Sequence, residues 1–416
     1  MTSKFSAQVD LAGPIELPAW PTSASGAPYD AARLLVRVAG EPVGFANVPL
    51  AGEPLSPARA LAAIECELGP LEQLAGAPQG RPLNGKPADS PGAPFVTVVV
   101  CTRNRAQALR GCLDSLRGLE HHTLEFVVVD NAPEDDSTRA TVAAISSQDD
   151  RFRYVCEPHA GLSWARNRGV SHAIGEIVAF VDDDVRVDPG WTAGVLRGLE
   201  RRSDVACVTG LVASASLEHL AEQYFDARVW WSSSCEPRVY DERNGPSDIG
   251  LHPYAAGALG TGANFAFRTR LLRELGGFDE SLGAGSRCAG GEDLDIFVRC
   301  LRAGHAVCYE PAALVWHEHR TDEHDLRRQM YCYGKGLSAY LFKYACSPRT
   351  AGDILGRLPD GLRHLRALGA RSRVDTDARL AREMWIAEAR GLLAGPFAYA
   401  RARWAQSPER RRAVAP

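Results

Sequence analysis

Three consecutive aspartates, Asp182, Asp183 and Asp184, follow directly on the apolar run IVAFV that ends at Val181. Adjacent carboxylates repel one another, and the end of a buried strand strips part of their water, so the run is unfavourable unless positive charge sits against it. A hard divalent cation answers that need. Mg2+ or Mn2+ takes oxygen from one or two carboxylates and fills its shell with water and phosphate oxygens, which makes Asp182 and Asp184 candidate ligands for a metal that also holds a nucleotide diphosphate. A solvated acidic loop is the plain alternative. His317 ends the apolar segment AALVWH, and its neutral imidazole is a candidate third ligand. His319 lies two positions on, on the same strand face, and competes for that place.

A second acidic group stands in Gly290-Gly291-Glu292-Asp293-Leu294-Asp295. Helix N-termini favour carboxylates whatever the function. The chemical reading is that Glu292 or Asp293 accepts the proton of an attacking hydroxyl as a general base. A base and a metal-held leaving diphosphate on opposite faces of the reacting carbon imply inversion. Arg166 and Arg168, in GLSWARNRG near a helix start, suit anionic oxygen, although an ordinary helix surface explains them equally well. Asp130 accepts hydrogen bonds from a base or ribose, or else caps a turn. Trp164, Trp230, Trp231 and Tyr254 are candidates to stack on a ligand ring or to pack in the core.

These residues need a scaffold that gathers them. Near-continuous apolar runs at Phe95–Cys101 and Glu125–Val129, with an amphipathic helix through Leu109, Cys112, Leu113 and Leu116 between them, predict buried parallel strands in a βαβ rhythm. Phe152–Cys156, a helix from near Ser163 and the strand before Asp182 continue it. The fold class is therefore α/β with a mostly parallel Rossmann-like sheet. In such open sheets ligands bind beyond the carboxyl ends of the strands, which brings Thr102-Arg103-Asn104-Arg105, Asp130-Asn131 and Asp182–Asp184 to one crevice. Further strands are expected at Val205–Leu211, Ala263–Phe267 and Ala313–Trp316, and a helix at Leu294–Ala303 closed by Gly304.

Ahead of this, residues 1–69 read as a small β/α module, with a hairpin over Arg33–Val48 turning at Ala39-Gly40-Glu41-Pro42. A helix follows, with Ser56 before it, Pro57 in its first turn and Gly69 past its end. Residues 70–94 are crowded with Pro and Gly and suit a linker. Residues 95–320 form the expected catalytic domain, and 321–416 a helical, Arg-rich C-terminal region. That last stretch carries twelve arginines and no lysine from Gly361 onward against five carboxylates, in a chain of net charge -4. Its interleaved apolar residues predict amphipathic helices that either lie on an anionic lipid surface or form a packed cap.

The net charge argues against a nucleic-acid-coating protein. Eleven scattered cysteines without a CxxC pair give neither a zinc knuckle nor a disulfide framework, and a reducing cytosol is the expected home. The N-terminus lacks a basic-then-apolar leader, and no stretch approaches the roughly 18 apolar residues of a spanning helix. A cytoplasmic chain, in peripheral contact with the inner face of a membrane if the tail binds lipid, is expected.

In order, VVVCTRNR, VVVDNAPEDD, GLSWARNRG, FVDDDV, GTGANFAFRTRLLRELGGFDESLG, GGEDLD and VWH resemble the family 2 glycosyltransferases of GT-A fold, over about 225 of the 416 residues. The resemblance implies a hexosyltransferase that moves a sugar from a nucleotide-diphosphate donor (UDP-, dTDP- or GDP-linked) to an acceptor hydroxyl with inversion, using Mn2+ or Mg2+. It implies that Thr102, Arg103, Arg105, Asp130, Asn131, Arg166, Asp182, Asp183 and Asn264 meet the nucleotide sugar, with Gly262 beside Asn264. It further implies that Asp182, Asp184 and His317 hold the metal, and that Asp293 is the catalytic base, with Glu292 its close competitor. Gly276-Gly277-Phe278-Asp279 matches a turn beneath the acceptor site. The acceptor itself, a glycan, a lipid-linked or a small molecule, lies outside what the resemblance reaches. A sugar-nucleotide nucleotidyltransferase is a rival reading, disfavoured by the lack of a glycine- and lysine-bearing loop after the first strand. A non-catalytic sugar-nucleotide or glycan-binding module is another, disfavoured by the intact acidic sites.

Overall fold

The computed structural model describes residues 3–17, 23, 26–76, 93–119, 121, 123–246, 250–357, 359–361, 363 and 377–405. The chain opens with β1 (Lys4–Asp10), β2 (Ala31–Val38) and β3 (Glu41–Pro49), a three-stranded sheet in that order, followed by α1 (Pro57–Leu68) and α2 (Leu71–Gly76). The hairpin β2–β3 turns on Ala39 and Gly40, both at positive φ (50° and 82°), the backbone that matches the right-handed twist of flanking strands. Ser56 accepts the Arg59 amide at 3.4 Å and Pro57 occupies the first turn of α1. The strand β1, parallel to β2, adds to the expected hairpin, and Phe5, Ala7 and Val9 alternate with polar residues in the period of a strand. Most of the stretch expected as a linker, residues 77–92, lies outside the described residues, and its start is the short helix α2.

The large sheet is built from β4 (Val96–Thr102), β5 (Leu124–Asn131), β6 (Phe152–Glu157), β7 (Ile177–Asp182), β8 (Val185–Val187), β9 (Val205–Ser214), β10 (Arg238–Tyr240), β11 (Asn264–Arg268) and β12 (Ala306–His317). Its order is β10-β12-β9-β11-β7-β4-β5-β6, with β8 paired to the end of β12. Strands β4, β5, β6 and β7 run parallel. β11 runs against β7 and β9, which returns β9 and β12 to the common direction, so six of the nine strands point one way.

The helices between them are α3 (Ala106–Arg117), α4 (Ser137–Ser146), α5 (Leu162–His172), α6 (Trp191–Glu200), α7 (Leu220–Arg228), α8 (Thr269–Glu274) and α9 (Glu292–Arg302). Leu109, Cys112, Leu113 and Leu116, the apolar stripe foreseen for α3, are all buried against the sheet. The strand foreseen at Ala313–Trp316 is longer, beginning at Ala306, because Pro311 lies where the register of β12 against β9 shifts and hides its first half from a periodicity reading.

After His317 the chain is helical: α10 (Glu323–Ala345), α11 (Ala351–Gly356) and α12 (Ala378–Ala405). α10 and α12 meet over most of their length. Gly334 and Gly391 allow this contact, because a Cβ at Gly334 would lie 2.1 Å from the Glu388 carbonyl oxygen and one at Gly391 2.1 Å from that of Tyr331. The N-terminal sheet is seated on the large one rather than hanging beside it. Leu35 shares an apolar cluster with Leu211, Ala213 and Leu314, while Arg33 pairs with Asp226 and Arg37 with Asp188. Glu41 accepts both Nη atoms of Arg197, at 2.7 and 2.6 Å. Among the described residues no helix is long and apolar enough to cross a membrane.

Candidate active site

Strand ends set the floor of the site. β7 delivers Asp182, and the tight connection to β8 presents Asp183 and Asp184. β8 then pairs with the end of β12, so that His317 comes to face Asp184, Nε2 to Oδ1 at 3.1 Å. Oxygen atoms of Asp182 and Asp184 and a ring nitrogen of His317 lie within 4.8 Å of one another, a donor set that could hold a divalent cation. The charges are unevenly settled. Burial pushes Asp182 up to about 7, against the pull of Arg166, and Asp183 up to about 6, against that of Arg105. Burial also opposes ionisation of Asp184, yet His317 and Arg105 hold its carboxyl well below the usual range, and Asp184 in turn raises His317. Crowded carboxylates of this kind are relieved by a cation.

His319 does not face this group. It stands behind His317, Nδ1 to Nδ1 at 2.9 Å, and its Nε2 is 2.9 Å from Ser214 Oγ. The Ser214 hydroxyl donates to Asp226 Oδ1 at 2.6 Å, and Asp226 is the partner of Arg33. Burial and the neighbouring His317 push His319 down to about 3, so it is neutral. Because Ser214 gives its proton to Asp226, it accepts from His319 Nε2–H, and His319 Nδ1 is left as an acceptor for His317 Nδ1–H. This chain of bonds turns the Nε2 lone pair of His317 toward the aspartates. No local sequence signal joins Arg33, Asp226, Ser214 and His319, which are brought together only by the sheet.

On the opposite wall, α9 begins at Gly291, whose φ of 89° suits glycine, and its first residues are Glu292 and Asp293. Glu292 is buried and paired with Arg166 at 2.8 Å, and Arg166 also donates to the Gly262 carbonyl at 2.8 Å and stands 3.8 Å from Asp182. Burial and the adjacent Asp293 push Glu292 up to about 7, partly offset by Arg166. Asp293 is half-buried. Its Oδ2 accepts the Gly262 amide and its Oδ1 the Leu294 amide, both at 2.8 Å, and among the described residues it makes no ion pair. The guanidinium of Arg166 lies over Phe265 and Phe278, 5.2 and 5.5 Å from their ring centres, which fixes it as a rigid strut between the two acidic groups.

The remaining sequence candidates divide clearly. Thr102 donates to Asp183 at 2.6 Å, and Arg105 bridges Asp183 and Asp184. Arg103 is exposed at the end of β4, near Gly285. Asp130 is fully buried at the end of β5, with Tyr154 donating to Oδ2 at 3.0 Å and Thr138 also against its carboxyl, and burial raises its pKa against the pull of both. Asn131 spends its amide on the loop before α5, donating to the His159 carbonyl at 2.7 Å and accepting the Gly161 amide at 2.8 Å. Asn264 turns inward: it accepts Trp191 Nε1–H at 2.9 Å and donates to the Leu211 and Ala313 carbonyls, so its polar atoms tie β9, β11 and β12 together and none is left for a ligand. Gly276 and Gly277 both take positive φ, and Asn167 clamps Phe278 through its amide and its carbonyl. Of the aromatic candidates, Tyr254 and Trp231 are core residues, Trp230 packs on Tyr309, and Trp164 stacks on His159.

Residues 97–275 match the family model described as Glycosyl transferase family 2. A pre-mycofactocin glycosyltransferase of Mycobacterium tuberculosis is 29 % identical over 256 residues, 60 % of this chain and 48 % of that protein. The match thus spans about half the length of that relative. A glucosyl-dolichyl phosphate glucuronosyltransferase of Haloferax volcanii is 25 % identical over 234 residues, 55 % of this chain and 71 % of that protein. Among solved structures, a mannosyltransferase of Pyrobaculum calidifontis in complex with GDP-Man and Mn2+ is similar with a TM-score of 0.49 and 20 % identity, covering 80 % of this chain and 88 % of that one.

Proposed function

Over residues 97–275 the chain belongs to glycosyl transferase family 2, and we propose that it transfers a hexose from a nucleoside-diphosphate sugar to an acceptor hydroxyl with inversion. The observation that carries this reading is the pairing, across one crevice, of the Asp182–Asp184–His317 group with a carboxylate, Asp293, that accepts backbone amides and makes no ion pair among the described residues. A divalent cation in that group would neutralise the charge that gathers on the leaving diphosphate. Asp293 accepts the acceptor's hydroxyl proton, held in place by the Gly262 and Leu294 amides. The acceptor oxygen then bonds to the anomeric carbon as the bond from that carbon to the diphosphate oxygen breaks, its electron pair leaving with the diphosphate.

Glu292, locked onto Arg166, positions the base rather than acting as one. Asp130, at the carboxyl end of β5, is the candidate acceptor for a donor N–H of the nucleotide base. His319 holds the His317 ring so that Nε2 faces Asp184, which would fix its tautomer and orientation for a metal held by Asp182, Asp184 and His317. Asn264 and Asn131 serve the frame of the site.

The test is a thermal-shift comparison of the full chain with UDP-, dTDP- and GDP-sugars, in Mn2+, in Mg2+ and in EDTA. Stabilisation by one nucleotide class, lost in EDTA, is the expected result, since a ligand that binds the native state raises its stability by mass action. Absence of any shift with all three classes would remove the donor assignment.

A further inference from the structure

Seven large hydrophobic side chains are conspicuously exposed among the described residues, and four of them stand on one helix. On α12, Ile386 is 39 %, Leu393 76 %, Phe397 75 % and Trp404 58 % exposed. Their spacings of seven, four and seven residues place them along one side of the helix, over roughly 27 Å at 1.5 Å per residue, with Pro396 interrupting the helical hydrogen bonds between Leu393 and Phe397. The opposite face is accounted for, since Leu380, Met384, Gly391 and Tyr399 are buried.

Arg382, Arg390 and Arg401 flank the line within about 60° of it at 100° per residue. All three are exposed, and among the described residues none makes an ion pair. Arg410, Arg411 and Arg412 follow in sequence. An apolar line bordered by free guanidinium groups fits one surface best. Hydrocarbon at the headgroup boundary receives Leu, Phe and Ile, tryptophan prefers that boundary, and lipid phosphates pair with the arginines. A second copy of the chain docked about a two-fold axis fits worse, because it would set like-charged arginine rows against each other.

We propose that α12 is a membrane-surface helix that lies on bilayers containing anionic phospholipid, with Ile386, Leu393, Phe397 and Trp404 in the headgroup boundary and Arg382, Arg390 and Arg401 on the phosphates. The helix is not apolar enough to cross, so the attachment is parallel to the surface. The inference is independent of the proposed sugar transfer.

Vesicle flotation of the full chain tests it, with phosphatidylcholine alone and with phosphatidylcholine mixed with phosphatidylglycerol. At low salt the chain floats with the mixed vesicles at least about tenfold more than with phosphatidylcholine, since arginines near an anionic surface strengthen binding. High salt lowers that binding. The Leu393→Glu/Phe397→Glu variant falls to the phosphatidylcholine level, and Arg390→Glu/Arg401→Glu does the same. These positions face solvent, so the unfolding temperature of both variants stays at the wild-type value and shows that the fold is kept. Flotation of Leu393→Glu/Phe397→Glu equal to wild type, or no flotation of wild type with either vesicle, overturns the proposal. So does concentration-dependent self-association that this variant abolishes without any vesicle binding, which would make the stripe an interface between copies.

Discussion

Glu292 and Asp293 are adjacent in sequence and differ in almost everything that matters for proton transfer. Glu292 is sealed from water and bound to Arg166, while Asp293 is half-buried and accepts the Gly262 and Leu294 amides. Replacing Asp293 with Asn keeps both amide contacts through the side-chain carbonyl at most in part, removes the basic oxygen and leaves the metal group untouched. Asp293→Asn should therefore retain the thermal shift with donor and metal while turnover falls by about 10²- to 10⁴-fold, the range general-base groups supply. Glu292→Ala strands the Arg166 guanidinium, which is only 3 % exposed, and should lower folding stability by about 3–5 kcal/mol as well as activity. A denaturant melt beside a turnover assay separates the two. Near-normal turnover in Asp293→Asn would end its role as base.

At the scale of elements, α10 is the part that ties the acidic wall to the C-terminal helices. Its Gly336 lies against Gly290, so that a Cβ there would come 2.7 Å from the Gly290 carbonyl carbon, directly before the turn that starts α9. Lys343 of α10 bridges Asp295 of α9 and Asp279, both at 2.8 Å. α12 presses α10 into this position through Gly391. Gly391→Val, with its Cβ facing the Tyr331 carbonyl oxygen, must push the helices apart. The expected cost is about 1–3 kcal/mol in a denaturant melt, with turnover reduced beyond what partial unfolding explains because α9 loses its backing. Unchanged turnover would detach α10 from the acidic wall.

Much of this arrangement was legible locally. An apolar run ending in Asp182–Asp184, or a glycine pair ahead of Glu292-Asp293, is written in a few consecutive residues, as is the amphipathic period of α3. What was not legible depends on distant pairing. The first half of β12 is masked by Pro311, and the inward turn of Asn264 follows from the antiparallel placement of β11 between β7 and β9. The chain of bonds behind His317 draws on residues 105 and 193 positions apart, a separation that no local pattern encodes.

For the molecule as a whole, the N-terminal sheet is a structural partner of the catalytic sheet and reaches its metal group. Leu35 closes an apolar cluster on β9 and β12, and Arg33 is nearly buried against Asp226, which holds Ser214, which orients His319 behind His317. Two consequences follow from that continuity. The full chain should unfold in a single calorimetric transition in which the N-terminal sheet and the large sheet melt together, because separating them exposes Leu211, Ala213 and Leu314 and strands Asp226 and Asp188. Arg33→Met should lower stability by about 3–5 kcal/mol by leaving the Asp226 carboxylate unpaired. In the fraction that stays folded, it should weaken Mn2+ affinity by about 10- to 100-fold, the usual effect of losing an outer-shell partner of a metal-bound histidine. The informative comparison is Arg37→Met, which breaks the other interface pair, with Asp188, and leaves the Ser214–His319 chain intact. It should cost comparable stability with Mn2+ affinity unchanged. Equal loss of Mn2+ affinity in both variants would reduce the N-terminal sheet to a support for the fold, whereas loss confined to Arg33→Met would tie it to the geometry at His317.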